Sequence, residues 1–257
     1  MRILFYPQVP HEPYVVYKIR SALNYQITNN TSDDFSFAIA WNDTTIWPAD
    51  PVLEELARRA RVINLACRDI RKSFVEEVFS EVFGYTTAID PTIYQGNLVQ
   101  KSEENAAHNG EIISCPITHL EEGFVYQRLI DNSVNDELVL DLRVPIFRGE
   151  IPFVYLKYRE IEGRFGNKNR SVTVAETDEV FSQAEQRLIF DFCQKVGFDL
   201  GELDVLRDRG DQKIYIIDAN NIPYGPPNQI SPKDAELALA KMARTFEQVF
   251  LARGGRS

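Results

Sequence analysis

The residues best suited to chemistry lie close together in one stretch of the chain, from Gly201 to Pro223. Two short apolar runs flank a polar, glycine-containing turn there, a pattern that predicts a β-hairpin. Asp204 lies in the first run, and Asp218 and Asn220 follow in the second half. An apolar strand has no packing reason to carry a carboxylate, because burial of an unpaired charge is costly. These three oxygen-bearing side chains are therefore candidate ligands of a cation.

The three oxygens converge only if the two strands pair in a suitable register. A loop over 208–212 would place Asp204 opposite Ile216. Asp218 would then be the diagonal neighbour of Asp204 on the same face, roughly 7–8 Å away at Cα. Asn220 would project to that face too, because side chains alternate along a strand. Hard oxygen ligands gathered in this way suit a magnesium–phosphate site, which we predict here.

This prediction depends on the turn. The predicted loop brings Arg207 opposite Lys213. A two-residue turn at 209–210 would instead put Asp204 and Asp218 on opposite faces and separate the ligands. An ordinary surface hairpin with acidic ends is the alternative interpretation.

Composition narrows the classes of function. The chain has 257 residues, of which 44% are hydrophobic, enough for a globular core. Its net charge of −10 disfavours a nucleic-acid surface, so a site for an anionic nucleotide must be locally basic. No apolar run reaches about 18 residues, so no membrane span is expected. Three separated cysteines, Cys67, Cys115 and Cys193, indicate reduced thiols and a cytoplasmic location.

The order of the two acids, the asparagine and the trailing Pro223 resembles the closing motif of the ATP-grasp superfamily. The resemblance extends from Lys72 to the end of the chain. It points to glutathione-synthetase-like and ribosomal-protein glutamate-ligase-like members, which are carboxylate–amine ligases. In that family the two acids and the asparagine hold magnesium, as one or two ions, against the phosphates of ATP. The resemblance therefore implies ATP and Mg²⁺ as cofactors, with Asp204, Asp218 and Asn220 as the metal ligands.

The resemblance also implies a fold, a mixed α+β and α/β structure of the ATP-grasp type. We expect a small N-terminal α/β domain with a linker helix over 1–90 and an ATP-lid subdomain over 91–130. An ATP-grasp core, with an antiparallel sheet, helices and the metal site, would occupy 131–257. The linker helix is predicted over 69–83, because its apolar residues follow helical spacing and Gly84 stops it.

The N-terminal part alternates strand and helix, which predicts a small parallel α/β layer. The predicted strands cover 2–7, 35–41 and 62–65, and the predicted helices cover 14–23 and 50–59. Asp50 is the expected N-cap of the second helix, with Pro51 at its first position. His11 lies in the first strand-to-helix loop, a place where α/β sheets bind ligands, although a lone histidine in a loop more often has no such role.

The resemblance assigns further residues to the nucleotide. Lysines near the start of the linker helix and at the end of a lid strand are similar to lysines that reach the ATP phosphates. A hinge segment would read the adenine edge through its backbone, an aspartate would contact the ribose, and the loop over 103–110, with Asn105, His108 and Asn109 as donors, would cover the phosphates. The predicted nucleotide-binding residues are Lys72, Lys101, Gln127, Arg128, Leu129, Asp141 and Lys157. A solvated lysine is the alternative for Lys72.

Four arginines are predicted to organise the phosphate or acceptor region: Arg143, Arg159, Arg164 and Arg170. Arg143 belongs to an Asp-Leu-Arg run that is similar to the Asp-Ile-Arg of the ligases named above. The other three lie on the next strand or in the loop after it, which resembles a family loop that closes on the γ-phosphate. Guanidinium groups suit this role because they grip phosphate at two points. An ordinary Asp–Arg pair is the alternative for Asp141 and Arg143.

The implied activity is an ATP- and magnesium-dependent ligase. It would activate a small-molecule or peptide carboxylate as an acyl phosphate and couple it to an amine, a thiol or another nucleophile, with ADP and phosphate as products. A homodimer is compatible with the family, whereas nucleic-acid and membrane partners are not expected. The alternatives are a nucleotide-binding module without turnover, an ATP-grasp kinase, and a protein without a nucleotide whose hairpin binds calcium or nothing.

Overall fold

The computed structural model describes residues 1–104 and 109–251. Asn105 and His108, predicted as donors in the loop over the phosphates, lie outside the described residues. Three β-sheets and the helices between them make up the described part of the chain.

The first sheet is formed by the N-terminal part of the chain. Its elements are β1 (Arg2–Pro7), α1 (Val15–Ala22), β2 (Gln26–Thr28), β3 (Phe37–Trp41), α2 (Pro51–Arg59) and β4 (Val62–Ile63). The strands are parallel, as predicted, in the order β2-β1-β3-β4, and β2 is an edge strand that the sequence did not predict. Asp50 is the predicted N-cap, since its carboxylate accepts a hydrogen bond from the Val52 N–H at 2.8 Å.

The linker helix α3 (Lys72–Phe83) connects the first sheet to the second. It begins three residues later than predicted and ends, as predicted, at Gly84, whose φ of 74° is a conformation that glycine adopts without strain. The second sheet is antiparallel and consists of β5 (Gly96–Ser102), β6 (Glu111–Cys115) and β7 (Phe124–Arg128), with β5 in the centre.

The third sheet is the core of the molecule, and all its neighbouring strands are antiparallel. The strands are β8 (Leu138–Phe147), β9 (Val154–Glu160), β10 (Ser171–Ala175), β11 (Leu200–Arg207) and β12 (Ile214–Asn220), in the order β10-β9-β8-β11-β12. The helices are α4 (Thr177–Val180), α5 (Gln183–Val196) and α6 (Pro232–Phe246), with a 3₁₀ turn at Ile161–Gly163 and a π-helical turn at Glu247–Leu251. The predicted capping box of α5 is present, because Ser182 and Glu185 cap each other's backbone N–H groups.

The two faces of the core sheet have different partners. Leu142, Val144 and Leu203 point to one face, where they pack with Phe79 of α3 and Ile189 of α5 in a buried cluster. That apolar face anchors the sheet, because burial of large aliphatic and aromatic side chains is the main source of folding free energy. The alternate residues of the same strands therefore point to the opposite face, where the polar side chains are gathered.

The pairing of β11 with β12 differs from the predicted register. Arg207 pairs with Ile214 rather than with Lys213, so the loop is one residue longer than predicted. The predicted pairing of Asp204 with Ile216 is also wrong, because Ile216 pairs with Val205.

A β-bulge restores the arrangement that the shifted register would have destroyed. Continued regular pairing from Arg207 would put Asp204 opposite Ile217 and turn Asp218 to the other face. The register shifts between Asp204 and Val205, so that Asp204 lies directly opposite Asp218. An extra residue in one strand is the usual device for re-aiming side chains next to a functional site. The predicted sharing of one face is therefore confirmed, although the predicted loop is not.

Candidate functional site

One face of the core sheet carries most of the ionisable residues singled out from the sequence. Asp141 pairs with Lys157 across β8 and β9, and Asp204 pairs with Arg143 on one side and with Asp218 on the other. Directly opposed residues share a face, and so do residues two apart in a strand. The face therefore carries Asp141, Arg143, Lys157, Arg159, Glu202, Asp204, Asp218 and Asn220.

A first cavity, of about 130 Å³, lies between this face, the second sheet and the start of α3. Its lining includes eleven of the predicted residues: Lys72, Lys101, Asn109, Gln127, Arg128, Leu129, Asp141, Arg159, Arg164, Asp204 and Asp218. Its apolar lining comes from Val99, Ile130, Phe165, Leu206 and Ile217. Apolar side chains together with charged groups of both signs can bind a ligand that has an apolar part and a charged part.

A second cavity, of about 300 Å³, opens on the same sheet face. Arg143, Lys157 and Asn220 line it, together with Asn167, Asn169, Glu202 and the loop over 224–228. Asp204, Asp218 and Arg159 line both cavities. Two of the three predicted metal ligands, Asp204 and Asp218, therefore lie at the boundary between the two cavities, and Asn220 lines the second.

Asp204 is held by two cations from neighbouring strands. Arg143 donates from Nε to Oδ1 at 3.1 Å, and the Lys157 Nζ atom lies 3.6 Å from the same oxygen. Burial alone would raise the pKa of Asp204, but Arg143 and Lys157 hold it well below its usual range. Burial lowers the pKa of the Lys157 ammonium, and Asp204 opposes that effect. Asp204 is therefore a carboxylate throughout the neutral range.

Asp218 has a different environment, although it lies directly opposite Asp204. Burial raises the pKa of Asp218, and the charge of Asp204 raises it further. Lys72 and Lys101 lower this pKa, but they offset only part of the increase. Like charges directly opposite each other destabilise a pair of strands. A cation bound between the two carboxylates would relieve both the burial and the repulsion.

The donor set fits magnesium that also binds phosphate. Asp204, Asp218 and Asn220 supply only hard oxygens, which Mg²⁺ prefers. No group of three or more His, Cys, Asp or Glu side chains gathers as a metal site within 1–104 and 109–251. Mg²⁺ is commonly bound through one or two carboxylates and substrate phosphates rather than by an all-protein cage, so two acids and one amide suffice.

Lys101 and Lys72 supply positive charge at the opposite wall. Burial lowers the pKa of the Lys101 ammonium to about 8, and Lys72 adds to this, while Asp218 acts in the other direction. The Lys72 Nζ atom donates to the Glu104 carbonyl at 2.9 Å. The alternative interpretation of Lys72 as a solvated lysine is wrong, because the residue is buried.

Asp141 and Arg143 share a face, as predicted, but they do not pair with each other. Asp141 accepts from Asn132 Nδ2 at 2.9 Å and forms an ion pair of 2.9 Å with Arg159 Nη1. Burial raises the pKa of Asp141, and Arg159 opposes this shift. Arg164 donates to Asn132 Oδ1 at 2.7 Å, which ties the loop after β9 to the hinge.

Two predicted arginines have other partners. Arg170 lies 2.9 Å from Glu160 and 3.9 Å from Glu137, its side chain is 54% exposed, and it is not among the described residues that line either cavity. It precedes β10 on the outer edge of the sheet, so the structure does not bring it to the site. The Arg128 guanidinium borders the first cavity, but it donates to the Tyr215 hydroxyl at 2.7 Å and contacts the hairpin loop.

Three residues of the site were missed in the sequence. Asn132 follows the hinge and orients both Asp141 and Arg164. Glu202, which lies opposite Asn220, is a buried carboxylate in an apolar strand, so the argument used for Asp204 would have found it. Phe165 lines the first cavity and no local pattern marks it. In addition, the buried Oε1 atom of Gln127 has no hydrogen-bond partner among the described residues, which leaves it available to a ligand.

Comparison with known proteins identifies the fold. No protein-family model and no curated protein sequence matches the chain. Solved structures do: the ATP-grasp ligase PsnB, complexed with minimal precursor, Mg and ADP, matches 95% of this chain over 98% of its own, with a TM-score of 0.57 and 12% identity. D-alanine–D-alanine ligase from Bacillus anthracis, complexed with ATP, matches 96% of this chain over 95% of its own, with a TM-score of 0.56 and 14% identity.

A third similar structure is the macrocyclase MdnB from Microcystis aeruginosa MRC, which matches 98% of this chain over 99% of its own, with a TM-score of 0.55 and 13% identity. The chain therefore has the ATP-grasp fold, as its closing motif predicted. None of the helices in the described ranges is both long and apolar enough to span a membrane.

Proposed function

We propose that the chain is an ATP- and magnesium-dependent ligase that activates a carboxylate as an acyl phosphate and couples it to an amine or another nucleophile. The observation that carries this proposal is the position of Asp204 and Asp218, which border two cavities that are both lined by cations. Two compartments that share a phosphate-binding boundary suit a two-substrate reaction, in which one holds the nucleotide and the other the acceptor.

In the proposed reaction, ATP occupies the first cavity. The adenine lies among the apolar side chains and is read by the backbone of 127–129, Asp141 contacts the ribose, and Lys72 and Lys101 bind the phosphates. Asp204, Asp218 and Asn220 would hold magnesium, which supplies neutralisation of the phosphate charge when it is bound. The substrate carboxylate would enter from the second cavity, where Arg143 and Lys157 are concentrated.

The chemistry then needs no protein nucleophile. A carboxylate oxygen attacks the γ-phosphorus and ADP leaves, which yields the acyl phosphate. The nucleophile next attacks the acyl carbon, phosphate leaves, and an amide forms when the nucleophile is an amine. Arg143, Arg159 and Arg164 stabilise the charge on the transferred phosphoryl oxygens, and positioning provides most of the rate enhancement.

We extend the proposal to the setting of the enzyme. Small-molecule or peptide substrates are consistent with the structures similar to this one, since PsnB is described with a precursor peptide and D-alanine–D-alanine ligase acts on a small substrate. A cytoplasmic location suits the three free cysteines, two of which are buried, and a homodimer is a proposal for solution measurements.

The proposal is tested by calorimetric titration with the non-hydrolysable analogue AMPPNP, with and without magnesium. Magnesium-dependent binding is the expected result, and ADP release in a screen of carboxylates with amines would then establish the ligase. ADP release with carboxylate alone and a stable phosphorylated product would indicate a kinase. Binding without ADP release in any combination would indicate a nucleotide-binding module, and no binding would remove the proposal.

The pKa of Lys101 predicts how nucleotide affinity depends on pH. Phosphate binds the ammonium form, so affinity should be fully present well below pH 8 and should fall as pH rises through about 8. Titrations of Mg·AMPPNP between about pH 7 and 9.5 measure this, because the lowered pKa lies well within that window.

Two variants of Lys101 are the controls. Lys101→Arg should bind with little dependence on pH, because a guanidinium stays charged throughout the range of the titration. Lys101→Met should bind about tenfold or more weakly at pH 7 and also without this dependence. If the affinity of Lys101→Arg depends on pH in the same way as that of the wild-type protein, the assignment of Lys101 to the phosphates is contradicted.

A further inference from the structure

Glu202 is a buried carboxylate without a hydrogen-bond partner. Only 3% of the residue is exposed, and neither carboxylate oxygen accepts a hydrogen bond from any residue in the described ranges. The nearest cation is Arg143, whose Nε atom lies 3.6 Å from Oε2 and donates its hydrogen bond to Asp204 instead. A buried carboxylate left in this state is costly, and native structures rarely keep one without a reason.

The position of Glu202 gives that reason. It lies on the site face of β11, two residues before Asp204 and therefore about 7 Å along the strand from it. Asn220 pairs with it across the hairpin, and both side chains line the second cavity. A Cβ atom added at Gly225 would lie 3.9 Å from Oε1 of Glu202, so the glycine-containing loop that lines the same cavity lies close to the carboxylate.

The lining of the second cavity combines cations with an acidic and an aromatic group. Arg143 and Lys157 form ion pairs with Asp204, and Arg159 lines both cavities. Glu202 lines the second cavity too, as does the half-exposed ring of Tyr224, which stacks on Tyr14 with ring centroids 4.4 Å apart. An anion with free acceptor sites and an aromatic face are the two groups that bind an ammonium ion.

We propose that Glu202 binds the ammonium group of the acceptor, so that the acceptor substrate is a primary amine rather than a thiol or an alcohol. This inference rests on the proposed function for its placement of the acyl phosphate beside Asp204. An ammonium supplies both a charge and several N–H donors, and it would satisfy oxygens that the protein leaves without partners. A neutral thiol or alcohol would add no charge to the single ion pair that Glu202 forms in the described ranges, with Arg143 at 3.6 Å, and Arg143 gives its hydrogen bond to Asp204.

The test is a binding measurement with small probes that share one scaffold. Glycinamide carries a primary ammonium, N-acetylglycinamide is its neutral analogue, and N-acetylglycine presents a carboxylate. Ligand-observed NMR titration with the full chain should detect binding of glycinamide and much weaker binding of N-acetylglycinamide. N-acetylglycine, whose carboxylate suits Arg143 and Lys157, should bind independently of Glu202. Glu202→Gln should weaken glycinamide binding about tenfold or more, because the charge-assisted hydrogen bond is lost.

The control variant is Glu77→Gln, which removes one carboxylate from the exposed surface of α3 and should leave glycinamide binding unchanged. Equal binding of glycinamide and its acetylated form by the wild-type protein would overturn the inference, and so would unchanged glycinamide binding by Glu202→Gln. The wild-type comparison needs no variant, so the test stands even if Glu202→Gln does not fold.

Nucleotide binding separates this inference from the proposed function. Titration of Mg·AMPPNP into Glu202→Gln should match that of the wild-type protein, because Glu202 lines the second cavity and not the first. Wild-type protein that binds the nucleotide but does not prefer the amine would refute the role of Glu202 alone. Wild-type protein that binds no nucleotide would refute the proposed function, while selective loss of glycinamide in Glu202→Gln would still identify an ammonium site.

Discussion

Asp218→Asn should remove magnesium-dependent binding of the ATP analogue and lower any ligase turnover by about 10²–10³-fold or more, as expected when one preorganised electrostatic contact to a reacting phosphate is lost. The asparagine keeps the size of the side chain and one oxygen, so the cavity is preserved. What disappears is the charge that Mg²⁺ requires beside Asp204. Binding without magnesium, through Lys72 and Lys101, should change little.

The same substitution should raise the melting temperature at pH 7. Burial raises the pKa of Asp218, so its carboxylate is less stable in the folded chain than in the unfolded chain. A carboxyl of this kind destabilises the fold at any pH above its unfolded pKa, about 4. Asparagine removes that destabilisation, and the difference in melting temperature should vanish as the pH falls below about 4.

Calorimetry with and without magnesium, together with thermal unfolding, checks both parts. Asp136→Asn, which changes an exposed aspartate in the loop before β8, is a control that should alter neither binding nor stability. Unchanged magnesium dependence in Asp218→Asn would refute the metal assignment. A large loss of stability would show that Asp218 is a structural residue, contrary to the cost of its burial opposite the like-charged Asp204.

The sequence predicted the chemistry of the closing hairpin better than its geometry. Carboxylates in apolar strands are visible in the sequence because burial makes them costly there. The bulge beside Asp204 is not visible, because an extra residue leaves no mark on an alternating pattern that already ends in polar residues. Asp204 and Asp218 share a face as predicted, but through a longer loop and a bulge that compensate each other.

The loop after β9 marks a second limit of sequence reasoning. Arg164 and Arg170 lie in the same cation-rich segment, yet only Arg164 turns toward the hinge, where Asn132 and the Ile130 carbonyl accept its hydrogen bonds. Arg170 turns outward to Glu160. The direction of each side chain is set by the 3₁₀ turn and by partners distant in sequence, so local composition could not distinguish the two. The roles of Arg164 and of the carboxylates Asp204 and Asp218 stay predictions until variants are measured.

Asp204→Asn should have the opposite effect on stability from Asp218→Asn, although the two residues face each other. Asp204 is the common partner of Arg143 and Lys157, and only 2% of the Lys157 side chain is exposed. Removal of one partner from a buried ion pair leaves the remaining charge uncompensated, which costs about 3–5 kcal/mol. We expect about 3 kcal/mol, because 26% of the Asp204 side chain is exposed and solvent reduces the effect.

The pH dependence of this loss has a definite sign. Arg143 and Lys157 outweigh burial and hold the pKa of Asp204 below its unfolded value. Its stabilising contribution is therefore fully present above about pH 4, the unfolded pKa, and is lost as the pH falls further. The free energies of unfolding of wild-type and Asp204→Asn, measured by urea titration, should differ most near pH 7 and converge in acid.

The double variant Asp204→Asn with Lys157→Met tests the cause. If the uncompensated Lys157 ammonium is responsible, replacement by an apolar side chain of similar length should recover about half or more of the lost stability, as seen when buried ion pairs are replaced as a unit. Equal stability of the single and double variants would instead place the loss in the hydrogen bond from Arg143. If the free energy of unfolding of Asp204→Asn lies within about 0.5 kcal/mol of the wild-type value, the ion pairs of Asp204 contribute little. The apolar face of the core sheet would then be enough to hold the sheet.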